Sequence, residues 1–556
     1  MPINNAGQAS LTNSHVAPLI VSTVGHRDPD SESIKRNRNL LAKDLVLLME
    51  SIPETPIFML NGLAEGMDLE AAEVFREIMS TRNALQANKL LHHRLIAVLP
   101  KKHDQYRQDF SNATELKRFD SLIAYTCQNV LDPNNCNDLC QVTNKDQGYS
   151  SPSDCYARQA LYLVKNSYLL FAFNNGSLNG KVGGTSHSVL VNKKMVHSWY
   201  LSFDEVICNH EPSGTVEYFT NRLSNPVAND SKNGNKSYWF DSTRCKDLSD
   251  LLAIPIKLNQ LNSSYIHESK ERKGLSLPEF VDLEASLFKE KFQRSIYMLL
   301  IIGLVISLTL ARPAWQILGL TSIVAAVFLF PSLQTKSRTD FIAYRCLAEV
   351  FKVIDQWIIF NVNHNPADFF KTQLHTNLAW TRTVMRSWYL QKSLDKQLNS
   401  HEREPILSNY KQDIIEQTRW LKGRIIYQKH ADKNILRTAV GIMILGCLSS
   451  LLLFNASDGT IYKEIVDWIT ELMMALLVIC VAYRELMGFK EINARYTRSR
   501  IQLKRSLKSL KIALNTSKSF DDSWPRIICA VEAIGCEKMD ELNDWVSDQL
   551  KRSYRP

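Results

Sequence analysis

Four apolar runs in the second half of the chain, 295–311, 314–333, 438–454 and 466–483, most tightly constrain what it can fold into. A helix needs ~17–25 apolar residues to cross a bilayer, and each run is close to that length. Lipid offers the backbone no water, so a spanning run of this kind must be helical. The runs come in pairs. Arg312-Pro313 interrupts the first pair and the polar stretch 455–465 the second, which predicts two transmembrane hairpins. A core helix of a soluble protein would pass the same test for any single run. Two pairs, both flanked by charge, make that the weaker reading.

The flanking charge gives an orientation. Lys289, Lys291 and Arg294 precede the first run, and Lys336 and Arg338 follow the second. Lys433 and Arg437 precede the third, and Arg484, Lys490, Arg495, Arg498, Arg500, Lys504 and Arg505 follow the fourth. The opposite connectors hold only Arg312, and Lys463 beside Asp458 and Glu464. Both hairpins are therefore expected to enter and leave on the cytoplasmic side, with both termini inside. Residues 1–16 are polar and lack a signal-peptide core, which agrees. Glu471 is the ionisable residue set deepest within the spans. A membrane carboxylate is a functional candidate, and one near the interface is simply wet; both readings stand. The net charge of +9 partly reflects this topology. There is no basic low-complexity arm or aromatic-basic RNA motif, so no nucleic-acid polymer is expected as a partner.

A chain of 556 residues calls for two or more domains. In the first half, short apolar runs at 19–24, 56–60, 95–99 and 168–173 alternate with helix-like segments at 31–51, 68–80 and 186–192. Continuous apolar strands alternating with helices predict a parallel sheet covered on both faces. A further strand is read at 195–201. Residues 101–154 are polar, with Cys127, Cys136, Cys140 and Cys155 in or beside them. Their spacing lacks a CxxC pair, so free cysteines and no metal site are expected. Asn and Ser clusters make 206–275 read as an insert or linker. Ser276-Leu277-Pro278-Glu279 reads as a helix start that runs straight into the first apolar run. The expected domains are 1–205, the α/β domain; 206–275, the insert or linker; 276–435, a linker helix, the first hairpin and cytoplasmic helices; and 436–556, the second hairpin and C-terminal cytoplasmic helices.

Glycine-rich turns follow three of the strands. Gly25-His26-Arg27-Asp28 follows the first and Gly62-Leu63-Ala64-Glu65-Gly66-Met67-Asp68 the second, while Gly183-Gly184-Thr185 lies beyond the 168–173 strand. Glycine lets backbone amides approach an anion, and a helix N-terminus favours negative charge. Ligands of open α/β sheets bind at the carboxyl ends of the strands. Any one turn is equally explained by tight strand-to-helix geometry; jointly they predict a phosphate-sized cradle. Its candidate residues are Gly25, His26, Arg27, Asp28, Gly62, Glu65, Gly66, Asp68, Gly183, Gly184 and Thr185, with Arg27 neutralising phosphate. Glu65 and Asp68 read either as ligands for ribose hydroxyls or a water, or as charges complementing a helix dipole.

In this order, Val24-Gly25-His26-Arg27-Asp28, the Gly62–Asp68 stretch, Leu99-Pro100 and Gly183-Gly184-Thr185 resemble the SLOG superfamily over roughly residues 15–205. The resemblance implies a Rossmann-like nucleotide-binding fold. The superfamily includes the LOG nucleotide phosphoribohydrolases and nucleotide sensors of bacterial anti-phage systems. The hydrolytic members carry a glutamate soon after the glycine-rich turn. Here Ser186-His187-Ser188-Val189-Leu190 follows, without a carboxylate. That favours sensing over catalysis, with no catalytic residue and no cofactor. The arrangement of hairpin and charged helix resembles the SLATT group of membrane effectors. Together the two resemblances imply an oligomeric, multi-pass protein of the bacterial inner (plasma) membrane. It would sense a nucleotide-derived signal and perturb the membrane, as a pore, in anti-phage defence. A membrane-anchored nucleotide or N-glycoside hydrolase is the alternative, and a constitutive channel the third reading.

Overall fold

The computed structural model describes residues 16–86, 91–127, 139–141, 152–176, 183–193, 213–223, 236–272, 275–310, 316–370, 378–394, 403–454, 461–515 and 520–551. The chain divides into two compact units. One holds Met1–Phe280, Glu349–Ile358 and His364–Gln397; the other holds Val281–Ala348, Ile359–Asn363 and Leu398–Pro556.

The first unit is built outward from β1 (Leu19–Gly25), buried along six of its seven residues. Asp30 caps α1 (Ser31–Ser51), its carboxylate accepting the Ser33 N–H at 2.6 Å. β2 (Ile57–Asn61), α2 (Met67–Leu85) and β3 (Arg94–Leu99) follow. Then come a one-turn α3 (His103–Tyr106), α4 (Ala113–Thr126) and β4 (Leu139–Gln141). The chain continues with α5 (Pro152–Asn166), β5 (Leu169–Asn174), α6 (Thr185–Asn192) and β6 (Gly214–Phe219). β7 (Lys236–Phe240), β8 (Thr243–Cys245) and α7 (Ala253–Glu271) complete the segment.

All eight strands join one sheet in the order β4-β3-β2-β1-β5-β6-β7-β8. β1 to β6 run parallel, and β7 and β8 are antiparallel at the edge. The chain steps outward from β1 to β4, returns, and steps the other way from β5 to β6. Right-handed crossovers therefore put α1, α2 and α4 on one face and α5 and α6 on the other. The reversal makes a topological switch between β1 and β5, with a crevice at their carboxyl ends.

Three helices follow: α8 (Leu277–Leu310), α9 (Gln316–Phe360) and α10 (Ala379–Leu394). Leu390 of α10 joins the core formed by Ile20, Val24, Phe58, Leu60 and Ile96 of the sheet, Leu163 and Val164 of α5, and Val189 and Val191 of α6. Each such aliphatic side chain contributes roughly 1.5–3 kcal/mol by leaving water. The sheet core is thus closed by a helix encoded between the two pairs of apolar runs. Its seat is also polar. Asp368, in the 3-10 turn Pro366–Phe369, pairs with Lys165 of α5 at 2.5 Å and Arg386 of α10 at 3.0 Å. Arg382 donates to the Ala367 carbonyl at 2.7 Å. The final turns of α9 lie in the same unit, where Phe351 meets Trp388 and Trp357 meets Phe369 edge-on.

Several expectations need correcting. The sheet is mixed, with its antiparallel edge supplied by β7 and β8. Residues 206–275, expected as an insert or linker, hold β6 to β8 and α7 and so extend the sheet itself. The reason is physical: β7 and β8 are half exposed and lack a continuous apolar run. β4 likewise sits in the polar 101–154 stretch, so the 168–173 strand is fifth in order. The strand read at 195–201 lies outside the described residues, as does Cys136.

In the second unit, α11 (Arg403–Phe454) and α12 (Ile461–Met487) form a helical pair followed by α13 (Phe489–Asn515) and α14 (Phe520–Lys551). Among the described residues, two stretches are long and apolar enough to cross a membrane, Arg403–Leu451 and Ile461–Leu514. Only 17% and 11% of their most apolar windows are buried, which is not how a soluble core helix behaves. Ser449 Oγ and Thr470 Oγ1 lie 2.8 Å apart between α11 and α12, and Arg484 forks onto Asp432 at 2.6 and 3.2 Å. Gly488, at φ +57°, separates α12 from α13. At the start of α8, Ser276 N–H and Oγ–H both donate to Glu279, at 2.9 and 2.8 Å. This is a capping interaction at the expected helix start. α8 reaches Leu310 and α9 begins at Gln316, so the Arg312-Pro313 break lies outside the described residues.

Candidate functional site

The β1 and β2 turns interlock at the sheet's carboxyl edge. A Cβ on Gly25 would lie 2.5 Å from Met67 Cβ, and one on Gly66 would lie 2.5 Å from the Arg27 carbonyl oxygen. Gly66 also has φ +84°, a conformation natural only to glycine. Met67 N–H donates to the His26 carbonyl at 3.1 Å. Gly62 is closed in by Gln159 Nε2, 2.7 Å from a built Cβ. These three glycines have packing reasons for being there.

His26 bridges the switch point. Its N–H donates to the Phe173 carbonyl at 3.2 Å, and its Nε2 accepts the Asn175 N–H at 3.1 Å. The ring is neutral, because burial, helped by Arg222, pushes its pKa down to about 4. Asp28 is engaged too, pairing with Arg222 Nε at 2.6 Å. Glu65 accepts from Ser111 N–H at 2.5 Å and Asn112 N–H at 3.0 Å, so it braces the entry to α4.

Arg27 and Asp68 complete the two turns. Arg27 is exposed, with its guanidinium 5.3 Å from the centre of the Tyr156 ring. Asp68, in the first turn of α2, is 8% exposed, and its Oδ1 has no hydrogen-bond partner. Burial raises its pKa to about 8, against the opposing pull of Arg27 and of the Gly25 and Ala64 amides. Asp68 is thus a buried carboxyl, largely protonated at neutral pH, beside a surface cation.

The third turn reaches the same place through Tyr156. A Cβ on Gly183, at φ +81°, would lie 2.6 Å from Ala157 N and 2.8 Å from the Tyr156 carbonyl carbon. Gly183 N–H donates to His187 Nδ1 at 3.1 Å, and burial lowers the pKa of that ring to about 4. Gly184 begins α6 without a side-chain cap, and Thr185 is its first, half-buried residue. Tyr156 therefore joins the turns after β1 and β5. Its OH donates to Asp109 at 2.5 Å, and Asp109 also holds Lys101 Nζ at 2.7 Å. Tyr106, itself near Tyr156, donates to the Gly62 carbonyl at 3.2 Å and ties in the second turn.

Sequence reading missed Tyr156, Tyr106, Asp109 and Lys101, since nothing in their spacing marks them. The remaining candidate, Glu471, is half buried on α12, with no hydrogen bond or ion pair among the described residues. No family model matches the chain, and no curated protein does.

Proposed function

We propose that this chain is a nucleotide-sensing membrane effector. A ribose-phosphate ligand, derived from a nucleotide made during phage infection, binds at the β1/β5 switch point and changes what the apolar helices do to the bacterial inner membrane. The observation that carries the reading is Asp68. A buried carboxyl with an unpartnered oxygen, close to an exposed arginine, suits a ligand that offers both hydroxyls and a phosphate. The uncapped start of α6 at Gly184 and Thr185 supplies amides for the same phosphate. Gly25, Gly62, Gly66 and Gly183 hold the backbone that shapes the site. His26, Asp28 and Glu65 hold its walls.

On this reading the hairpins number two, with spans 295–311, 314–333, 438–454 and 466–483 and cytoplasmic termini, and the active form is an oligomeric pore. Tyr462 and Tyr483 on α12 are spaced ~31 Å along the axis, which matches the ~30 Å hydrocarbon core and the usual aromatic belts. α10 supplies the coupling. α5 and α6 carry the site at their N-terminal ends; Leu163, Val164, Val189 and Val191 share one buried core with Leu390 of α10, and Lys165 pairs with Asp368, which also holds Arg386 of α10.

Asp68 also favours a second reading. A carboxyl held protonated at neutral pH is equipped as a general acid, as an N-glycoside or nucleotide hydrolase would require. Calorimetry on the full chain in detergent, with ADP-ribose and AMP as probes, tests the assignment. Arg27→Ala and Gly184→Asp should each weaken binding at least about tenfold, the scale of one lost charge-assisted contact. Equal affinities for wild type and both variants would overturn it. Release of free base during the titration would select the hydrolase.

A further inference from the structure

The outer faces of α13 and α14 carry opposite charge. α13 buries Ser499, Leu503, Ser506, Leu510 and Ala513, a heptad-like stripe. Its exposed side carries Arg498, Lys504, Arg505, Lys508 and Lys511. No Asp or Glu occurs from 498 to 511. Ile501 and Ile512 lie among these cations, 46% and 56% exposed. On α14, Asp540, Asp544 and Asp548 are exposed at i, i+4, i+8, so they share one face, and no Lys or Arg occurs from 539 to 550.

Both faces are held in fixed positions. Ser506 Oγ donates to Glu537 at 3.0 Å, and Ser499 donates to Glu541. Trp545 packs edge-on against Phe341 of α9, with ring centroids 5.9 Å apart.

We propose that the basic face of α13 on one copy docks against the acidic face of α14 on the next, so that copies associate head to tail through their cytoplasmic helices. This rests on the reading that the protein works as an assembly, and it names the surface. Heterologous contacts of this kind generate rings or open arrays. The exposed isoleucines favour a protein occupant, since phosphates would leave them in water. Lipid headgroups are a poor fit. Lys504 lies ~26 Å along α13 from the end of α12, beyond a Debye length of ~8 Å. α13 also runs along α11, with Trp420 and Tyr496 in edge contact at 6.0 Å.

The test uses the full chain in nanodiscs or mild detergent, with mass photometry at low and high salt. Lys504→Glu/Lys508→Glu/Lys511→Glu removes the basic face, and Asp544→Lys/Asp548→Lys removes the acidic face. Each variant alone should drop to the monomer mass, with circular dichroism unchanged. An equimolar mixture of the two should reassemble, because each then offers what the other lacks. Assembly that survives both variants, or a mixture that stays monomeric, overturns the proposal. So does loss in the basic variant alone with absorbance showing co-purified nucleic acid, which would assign that face to a polyanion. Nucleotide binding by the monomeric variants separates this outcome from failure of the sensor reading.

Discussion

At the scale of residues, the proposed site turns on Asp68. Its folded pKa of about 8 stands above the ordinary carboxylate value of 3.8, so folding takes up a proton. Wild-type stability should therefore fall as pH rises between those values, by at most about 1.4 kcal/mol per unit. Asp68→Asn removes the titration and keeps the shape. Its melting temperature relative to wild type should climb from pH 5 to pH 8 and then level off. A gap independent of pH would show that Asp68 is ionised throughout. Gly66→Ala should cost roughly 1–3 kcal/mol, because alanine resists φ +84° and its Cβ meets the Arg27 carbonyl. Urea denaturation would measure it. The glycines could be read from sequence because strand-to-helix turns announce themselves. Tyr156 could not, since its importance comes from Arg27, Gly183 and Asp109 meeting it only in the folded chain.

At the scale of elements, β1, β2, β3 and β5 were legible because a strand covered on both faces has to be apolar throughout. β6 escaped notice amid polar neighbours, although Val216 and Tyr218 are fully buried. α10 was illegible as a sheet-covering helix, since no local pattern places Leu390 in the same core as Val189 and Leu163. Its polar seat gives a prediction. Asp368 is held below the usual carboxylate range, because Arg386 and Lys165 outweigh the cost of burial. Asp368→Ala would remove the carboxylate that pairs with Lys165 and Arg386, at a cost of about 3–5 kcal/mol. Hydrogen exchange should show α10 opening well before β1. Exchange at α10 unchanged from wild type would remove it from the coupling. For α11 and α12, a cysteine at Ser457 in a cysteine-free background should react with an impermeant thiol reagent added outside intact cells. One at Ser337 should not, and labelling there would reverse the orientation.

At the scale of the whole molecule, the proposal has the sheet unit bind and the apolar helices act, and α10, encoded between the two pairs of apolar runs, belongs to the sheet unit. The expected spans are poor in ionisable groups, Asp467 and Glu471 of the last one excepted. A transporter needs buried charges along its path, so permeabilisation suits this composition better than coupled transport. The most direct measurement follows membrane potential in proteoliposomes holding the full chain and a voltage-sensitive dye, to which the nucleotide fraction of phage-infected cells is added. Wild type should collapse the potential only when that fraction is present, and Arg27→Ala should stay silent with the same protein load. A potential that holds while the nucleotides are consumed, or that collapses equally without them, would contradict the account.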